Sequence, residues 1–318
     1  MLNNKSVLIT GGAGFIGYHL AGALKKRGDS VLCFDNFNAY YSPDLKRKRE
    51  ARLRLLDITT IEGELTDLNA LLHACQNYSP THIVHLAAQA GVRYSLECPQ
   101  AYIDSNIQGF LNVLECVRKN PQIPLTYASS SSVYGTNAKI PYSTEDFTDQ
   151  PASLYGATKK SNEVMAHAYH HCFGIKVTGL RYFTVYGPWG RPDMAYWRFL
   201  ESIYAGKPIE VFNQGQLERD FTYIDDIIEG TIAAIDLQAP CEIFNLGGHC
   251  PVQLETFISI LEELSGRKAI KKYVGMQRGD VLKTFADIDK SQQMLNFSPK
   301  ISLEEGLSRF VSWYVYRT

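Results

Sequence analysis

Short apolar runs rich in β-branched residues alternate with stretches of helical periodicity through the first half of the chain. SVLIT (6–10) is followed by a helical segment ending near Arg27, and SVLCFD (30–35) by a basic helical stretch. ITTIEGEL (58–65) and HIVHLAA (82–88) continue the alternation. A long helical pattern across 100–119 then leads into PLTYASS (124–130). Strands that are apolar on both faces and separated by helices predict a parallel sheet covered on both sides. The expected fold class is α/β, a doubly wound parallel sheet.

After IKVTGLRY (175–182) the texture changes. TVYGPWGRPDM (184–194) is rich in glycine and proline and continues neither a helix nor a central strand. Beyond it the pattern predicts a helix near 195–206, a short strand IEVF (209–212) and a helix near 225–237. EIFNLGG (242–248) reads as a strand returning to the main sheet. The expected organisation is one domain over 1–185, with that return strand, and a smaller, discontinuous α/β lobe made mainly of 186–318.

Composition narrows the function classes. Over 318 residues the formal net charge is −1, which gives no reason to expect nucleic acid or an anionic membrane as partner. The one local excess, KRKREARLR (46–54), reads as a solvated helix face. Seven cysteines without a CxxC pair read as reduced intracellular thiols. HAYHH (167–171) has no carboxylate or cysteine at metal-ligand spacing, so no metal is expected. The N-terminal stretch runs directly into a strand without a signal-peptide core, and no apolar run approaches the roughly 20 residues that cross a bilayer. A cytoplasmic protein is expected.

TGGAGFIG (10–17) lies where the first strand meets the first helix. Gly12, Gly14 and Gly17 satisfy GxGxxG, and Gly11, Gly14 and Gly17 satisfy GxxGxxG. The motif has its required context: a strand before, a helix after, and an acid, Asp35, about 20 residues further on. Glycines let the backbone approach a pyrophosphate at the helix N-terminus. Asp35 can accept from adenosine ribose hydroxyls and repels an extra phosphate there, which favours NAD over NADP. This is the Rossmann form of the doubly wound sheet.

A nicotinamide cofactor gives meaning to SLYGATKK (153–160), where Tyr155 and Lys159 stand one helical turn apart. Taking the proton of a secondary alcohol needs a base, and a phenol of ordinary pKa near 10 is a poor one at neutral pH. A nearby ammonium and a positive nicotinamide ring both favour the phenolate. ASSSSVYG (128–135) ends a strand and supplies hydroxyls to bind the reacting oxygen.

With TGGAGFIG, HLAAQAGV, ASSSSVYG, YGATK and RDFTYIDD (219–226), the chain resembles the extended short-chain dehydrogenase/reductase family over essentially its whole length. Within that family it is most similar to NAD-dependent nucleotide-sugar 4-epimerases acting on UDP-glucuronate. The stretch RYFTVYGPWGRPDMA (181–195) carries this, supported by NQGQLERDFTYIDD and MQRGDVLKTFAD. The resemblance implies Tyr155 as base, Lys159 as its electrostatic and ribose partner, and Ser130 as the hydroxyl of the triad, with Ser129 and Ser131 as alternative registers. It places Gly11, Gly14, Phe15, Ile16, Gly17, Asp35, Asn36, Asn38, Glu64, Leu65, Ala87, Ala88, Gln89, Asn106, Tyr155, Lys159 and Tyr182 around NAD.

The same resemblance implies a UDP-sugar partner, UDP-glucuronate or UDP-galacturonate, and inversion at C4 through a 4-keto sugar. Arg191 is the candidate contact for the C5 carboxylate, with a loop-pinning arginine as the plain alternative. Ser130, Ser131, Ser132 and Thr184 add hydroxyls, and Thr184 stands where galactose epimerases commonly have asparagine. Arg93 and Arg219 are candidates for the diphosphate. Phe212 stacks on uracil or simply fills the small lobe's core, with Asn213 and Gln277 nearby. Arg278 departs from the proline expected in this subgroup. A homodimer through the helices near 100–119 and 155–172 is implied. Competing readings are a UDP-galactose 4-epimerase, a UDP-glucuronate decarboxylase and a non-catalytic NAD-sensing protein. A 4,6-dehydratase is disfavoured because Ser131 and Ser132 stand where such enzymes carry Asp-Glu.

Overall fold

The computed structural model describes residues 4–316. β1 (Ser6–Thr10), α1 (Phe15–Arg27), β2 (Ser30–Asp35), α2 (Pro43–Arg54), β3 (Thr59–Glu62), α3 (Leu68–Tyr78) and β4 (His82–His85) alternate as expected. Two single turns, α4 (Tyr94–Glu97) and α5 (Pro99–Tyr102), lead through a π-helical turn at Ile103–Gln108 into α6 (Gly109–Arg118). β5 (Leu125–Ser130), α7 (Leu154–Phe173) and β6 (Val177–Tyr182) complete the first half. Then come β7 (Thr184–Tyr186), α8 (Ala195–Tyr204), β8 (Pro208–Phe212), β9 (Glu218–Tyr223) and α9 (Ile224–Leu237). β10 (Cys241–Leu246), β11 (Pro251–Gln253), α10 (Leu254–Ser265), β12 (Ile270–Val274), α11 (Asp289–Leu295) and α12 (Leu303–Tyr316) follow.

Seven strands form one sheet in the order β10-β6-β5-β4-β1-β2-β3, every pair parallel. Winding outward from β1 to β3 and then back to β4 on the other side makes β1 and β4 the switch point, where a crevice opens at the carboxyl edge. Alternation along β1 divides the core. Leu8 points to a layer with Leu71, Phe110, Val113 and Ala166, so α3, α6 and α7 cover that face. Val7 and Ile9 point to the opposite layer, with Leu20, Leu24, Ile227 and Ile228 from α1 and α9. That second layer runs on without a break into Trp197, Leu200, Ile258 and Phe310 of the remaining helices. The smaller sheets, β11-β9-β7 and β12-β8, lie outside the main one.

Two local expectations need correction. The helical pattern across 100–119 is not one regular helix. Its π turn puts the Asn106 carbonyl where Asn162 Nδ2 of α7 donates to it at 2.6 Å, and such turns are inserted where a helix must re-aim a side chain. The basic run 46–54 is only partly a solvated face: Lys46, Arg49 and Leu53, at i, i+3 and i+7, are buried on one side of α2.

The sheet is fastened to α7 by a buried ion pair. Arg181 of β6 donates from Nε and Nη2 to the two carboxylate oxygens of Glu163, each at 2.8 Å, and Ser129 Oγ of β5 donates to Glu163 Oε1 at 2.6 Å. Arg181 Nη1 also donates to the Tyr134 hydroxyl at 2.9 Å, which in turn donates to Asn245 Oδ1 of β10 at 2.7 Å. Arg181→Met therefore strands a buried carboxylate and lowers the unfolding free energy in urea by about 3–5 kcal/mol. Adding Glu163→Leu recovers much of that loss. A loss below about 1 kcal/mol in the single variant, as for an exposed pair, would contradict this role.

Candidate active site

The carboxyl edge of the parallel sheet opens into a cleft of about 1120 Å³, beyond the range typical for a single small ligand. On one side the turn from β1 enters α1. Gly11 has φ +75°, and a Cβ there would lie 2.6 Å from the Ala87 amide nitrogen, so this turn and the one after β4 pack backbone to backbone. α1 starts at Phe15 from the N-cap Gly14 without a side-chain cap, which leaves its first N–H groups for an anion. Asp35 ends β2 and accepts from the Ala13 and Phe37 amides at 3.0 and 2.9 Å. Burial pushes its carboxyl above the ordinary range, opposed by the Phe37 amide, Lys46, the Ala13 amide and Arg49. Phe15, Ile16, Gly17, Asn36, Asn38, Glu64, Leu65, Ala87, Ala88, Gln89 and Tyr182 line the same part of the cleft. These features fit a dinucleotide: a bare helix start, a close-packed glycine turn and a carboxylate at the end of the second strand.

The opposite wall is α7. Its N-cap Ser153 Oγ accepts from the Gly156 amide at 3.1 Å, and a Cβ on Gly156 would lie 2.5 Å from the Ser132 carbonyl. Only glycine allows this approach, and it sets Tyr155 against the end of β5. Tyr155 and Ser130 are hydrogen-bonded. Burial pushes the phenol up, the bond to Ser130 and the charge of Arg191 pull it down, and Asp193 pushes it up again. Lys159, one turn on, is buried and donates to the Ala128 carbonyl at 2.8 Å. Burial brings its ammonium down to about 8, and Glu163, a further turn along, works against that.

Ser129 and Ser130 have different partners. Ser129 faces Glu163 behind the sheet, whereas Ser130 lies beside Tyr155 and its Oγ accepts from the Ser132 amide at 3.1 Å. Ser131, Ser132 and Thr184 line the cleft beyond the tyrosine. Arg191 is there too, in a bidentate pair with Asp193: Nε to Oδ1 at 3.0 Å and Nη2 to Oδ2 at 2.6 Å. Burial pulls the guanidinium down, and Asp193 more than offsets it, holding Arg191 above its ordinary range. The pair does not use Nη1. At the far end Arg93 lies 4.5 Å over the Phe212 ring and 3.9 Å from Asp280, and Arg219 lines the same end. Phe212 is half-buried and faces the cleft rather than filling a core.

Three expected site residues are not brought to the cleft wall. Asn106 stands behind it, accepting from the Gln89 amide at 2.8 Å and donating to the Gln89 carbonyl at 3.0 Å, so it braces the wall instead of forming it. Asn213 turns away: its Nδ2 donates to the Gln216 carbonyl at 3.1 Å, and it borders a separate shallow depression. Gln277 is outside the lining and keeps its Oε1 buried without a partner.

Sequence reasoning also passed over residues that the structure puts to use. Lys46 lines the cofactor side and donates to the Asn38 carbonyl and Oδ1 at 2.9 and 2.7 Å. Tyr40 donates to Asp193 Oδ2 at 3.0 Å, linking the loop after β2 to the Arg191 pair. The available signal was the i, i+3, i+7 spacing of Lys46, Arg49 and Leu53 within the charge run; Asp193 and Tyr40 carried none.

Comparison with known proteins agrees with this geometry. Residues 7–247 match the model of the NAD dependent epimerase/dehydratase family. The chain is 50% identical to UDP-glucuronate 4-epimerase 4 of Arabidopsis thaliana, over 98% of this chain and 76% of that protein. It is 44% identical to protein CapI of Staphylococcus aureus, over 97% of this chain and 98% of that one. Among solved structures it resembles the UDP-glucuronic acid 4-epimerase of Bacillus cereus in complex with UDP-glucuronic acid and NAD. The TM-score is 0.91 at 37% identity, covering 98% of this chain and all of that one. Glycine turn, Asp35, Tyr155 and Lys159 thus sit within the stretch that the family model matches, and the protein belongs to the NAD dependent epimerase/dehydratase family.

Proposed function

We propose that the protein is an NAD-dependent isomerase that interconverts UDP-glucuronate and UDP-galacturonate by inversion at C4. The observation that carries this reading is the presence of Arg191 in the same cleft as the hydrogen-bonded Tyr155 and Ser130. A base pair of this kind suits an alcohol, and a guanidinium beside it suits a sugar whose C5 substituent is a carboxylate. The plant relative of the same activity and the Bacillus structure with both ligands support it.

When bound, NAD supplies the reversible oxidation at C4 and a positive ring beside Tyr155. The chain's own part is protons and geometry. Ser130 Oγ holds O4 while Tyr155 Oη takes its proton and later returns it. Lys159 supplies an ammonium one helical turn from the phenol, while Ser130 and Arg191 oppose the upward push of burial on Tyr155. The 4-keto sugar turns over before C4 is reduced on its other face. It is a β-keto acid, so Arg191 with Ser131, Ser132 and Thr184 must fix the carboxylate against loss as carbon dioxide. Arg93 and Arg219 take the diphosphate, and Phe212 the uracil.

In this reading residues 1–185 with β10 hold NAD, and 186–318 mainly hold the UDP-sugar. The protein works in the cytoplasm as a homodimer through the helical faces of 100–119 and 155–172. No helix among the described residues is long and apolar enough to cross a membrane.

Proton NMR of UDP-glucuronate incubated with the protein, without added reductant, tests the reading. UDP-galacturonate signals rising to a stable mixture are expected. UDP-xylose-type signals would mean decarboxylation, and an unchanged spectrum would overturn the assignment. In the same assay Tyr155→Phe loses about 10²–10⁴-fold in rate and keeps its NAD content. Lys159→Met gives a second check on the ligand-free protein. The folded lysine titrates at about 8 and the unfolded one near 10.4, so its burial cost is full below pH 8 and fades by about pH 10.4. The variant is therefore more stable than wild type at pH 7, by on the order of 2–3 kcal/mol. The lost bond to Ala128 offsets about 1 kcal/mol of this at every pH. The gain shrinks as pH rises through that window, and a pH-independent difference in urea unfolding would contradict it.

A further inference from the structure

Arg49 is fully buried, and every N–H of its guanidinium has a partner. Nε donates to the Trp189 carbonyl at 3.1 Å, and Nη2 donates to the Trp189 and Gly190 carbonyls at 2.7 and 2.8 Å. Nη1 donates to the Ala13 carbonyl at 3.1 Å and the Tyr41 hydroxyl at 2.8 Å. That makes five bonds from five donors, and none of the acceptors is a carboxylate. Burying a guanidinium on neutral oxygens is costly, so the geometry it enforces needs an explanation beyond stability.

The two sides of this clamp belong to different parts of the cleft. Ala13 is in the glycine turn between β1 and α1, and Trp189–Gly190 immediately precede Arg191. Trp189 holds φ 58°, a left-handed conformation that a bulky residue keeps only where its surroundings over-determine it. Those surroundings are Arg49 on its carbonyl, His19 Nε2 on the Pro188 carbonyl at 2.8 Å, and the Arg191 amide on Tyr196 Oη at 3.1 Å. Asp35 and Lys46 are the charged neighbours of Arg49 on the cofactor side.

We infer that Arg49 is a positioning residue that fastens the Arg191-bearing loop onto the glycine-rich turn, so that capture of the sugar's carboxylate depends on backbone shared with the dinucleotide site. The inference rests on the uronate reading proposed above. A lysine at this position keeps the charge but has three donors on one atom, and it cannot span the Ala13, Tyr41, Trp189 and Gly190 oxygens together.

The test compares wild type with Arg49→Lys in the NAD-bound protein. Calorimetric titration with UDP-glucuronate and with UDP separates carboxylate capture from nucleotide binding. The expected result is a loss of about tenfold or more for UDP-glucuronate, since a small misplacement at a site is costly, with UDP affinity unchanged. Amide hydrogen exchange is expected to quicken over 187–191 and 11–14. A purely structural role would lower the melting temperature and weaken both ligands equally, or leave exchange in the two segments unchanged; either result overturns the inference. Should Arg49→Lys not fold, Tyr41→Phe removes only one acceptor, and a smaller loss in the same ligand ratio is expected, with an unchanged ratio and exchange overturning it. If wild type binds UDP-glucuronate no more tightly than UDP, the uronate reading fails, and exchange alone decides whether Arg49 is a clamp.

Discussion

Glu163 occupies the point where the helix carrying Tyr155 and Lys159 meets the sheet. Tyr155, Lys159 and Glu163 succeed one another at four-residue intervals along one face of α7, and the last accepts from both Arg181 of β6 and Ser129 of β5. Fixing that carboxylate fixes the axial position of α7 relative to the ends of two strands. Ser130, next to Ser129 and pointing to the opposite side of β5, then has to meet Tyr155. Lys159 feels the same carboxylate as the one charge opposing its desolvation. The anchoring of α7 and the charge balance of Lys159 therefore share one buried group. Two strands and a helix cannot shift independently around it without stranding a charge.

A second feature is the way the cleft stores its positive charge. Arg191 is held by Asp193, which Tyr40 also contacts, and Arg93 lies near Asp280. Cationic side chains lining the cleft are stabilised by such internal partners before any ligand arrives. In the proposed reading, a substrate bearing a carboxylate at one end and a diphosphate at the other meets preoriented guanidinium groups instead of flexible ones, which lowers the ordering cost of binding.

Much of this was legible from the residues. Short strands apolar on both faces, alternating with helical stretches, gave the doubly wound sheet. The glycine spacing with Asp35 gave the dinucleotide side, and the four-residue interval gave Tyr155 and Lys159. What stayed hidden depended on contacts between distant segments. Four consecutive serines do not reveal which stands beside Tyr155, because Ser129 is drawn off by Glu163 from a helix some 30 residues later. Lys46 and Arg49 looked like surface charge because a run of basic residues on a helix is usually solvated, and nothing in that run shows that the distant Ala13, Trp189 and Gly190 carbonyls are its acceptors. Asn106 carried a familiar position but acts one layer back, since the π turn aims it at Gln89. Asn213 and Gln277 fell within the expected stretches, and their backbone and neighbours turn them elsewhere.

In the proposed mechanism hydrogen leaves C4 of the sugar and returns to that same carbon inside one cleft, with Tyr155 and Ser130 handling only the hydroxyl proton. Incubating the protein with UDP-glucuronate carrying deuterium at C4, in ordinary water, tests this most directly. Complete retention of the label at C4 of UDP-galacturonate is the predicted result. Loss of deuterium to solvent as the product forms would contradict it, because inversion would then proceed by removing and replacing a proton on carbon.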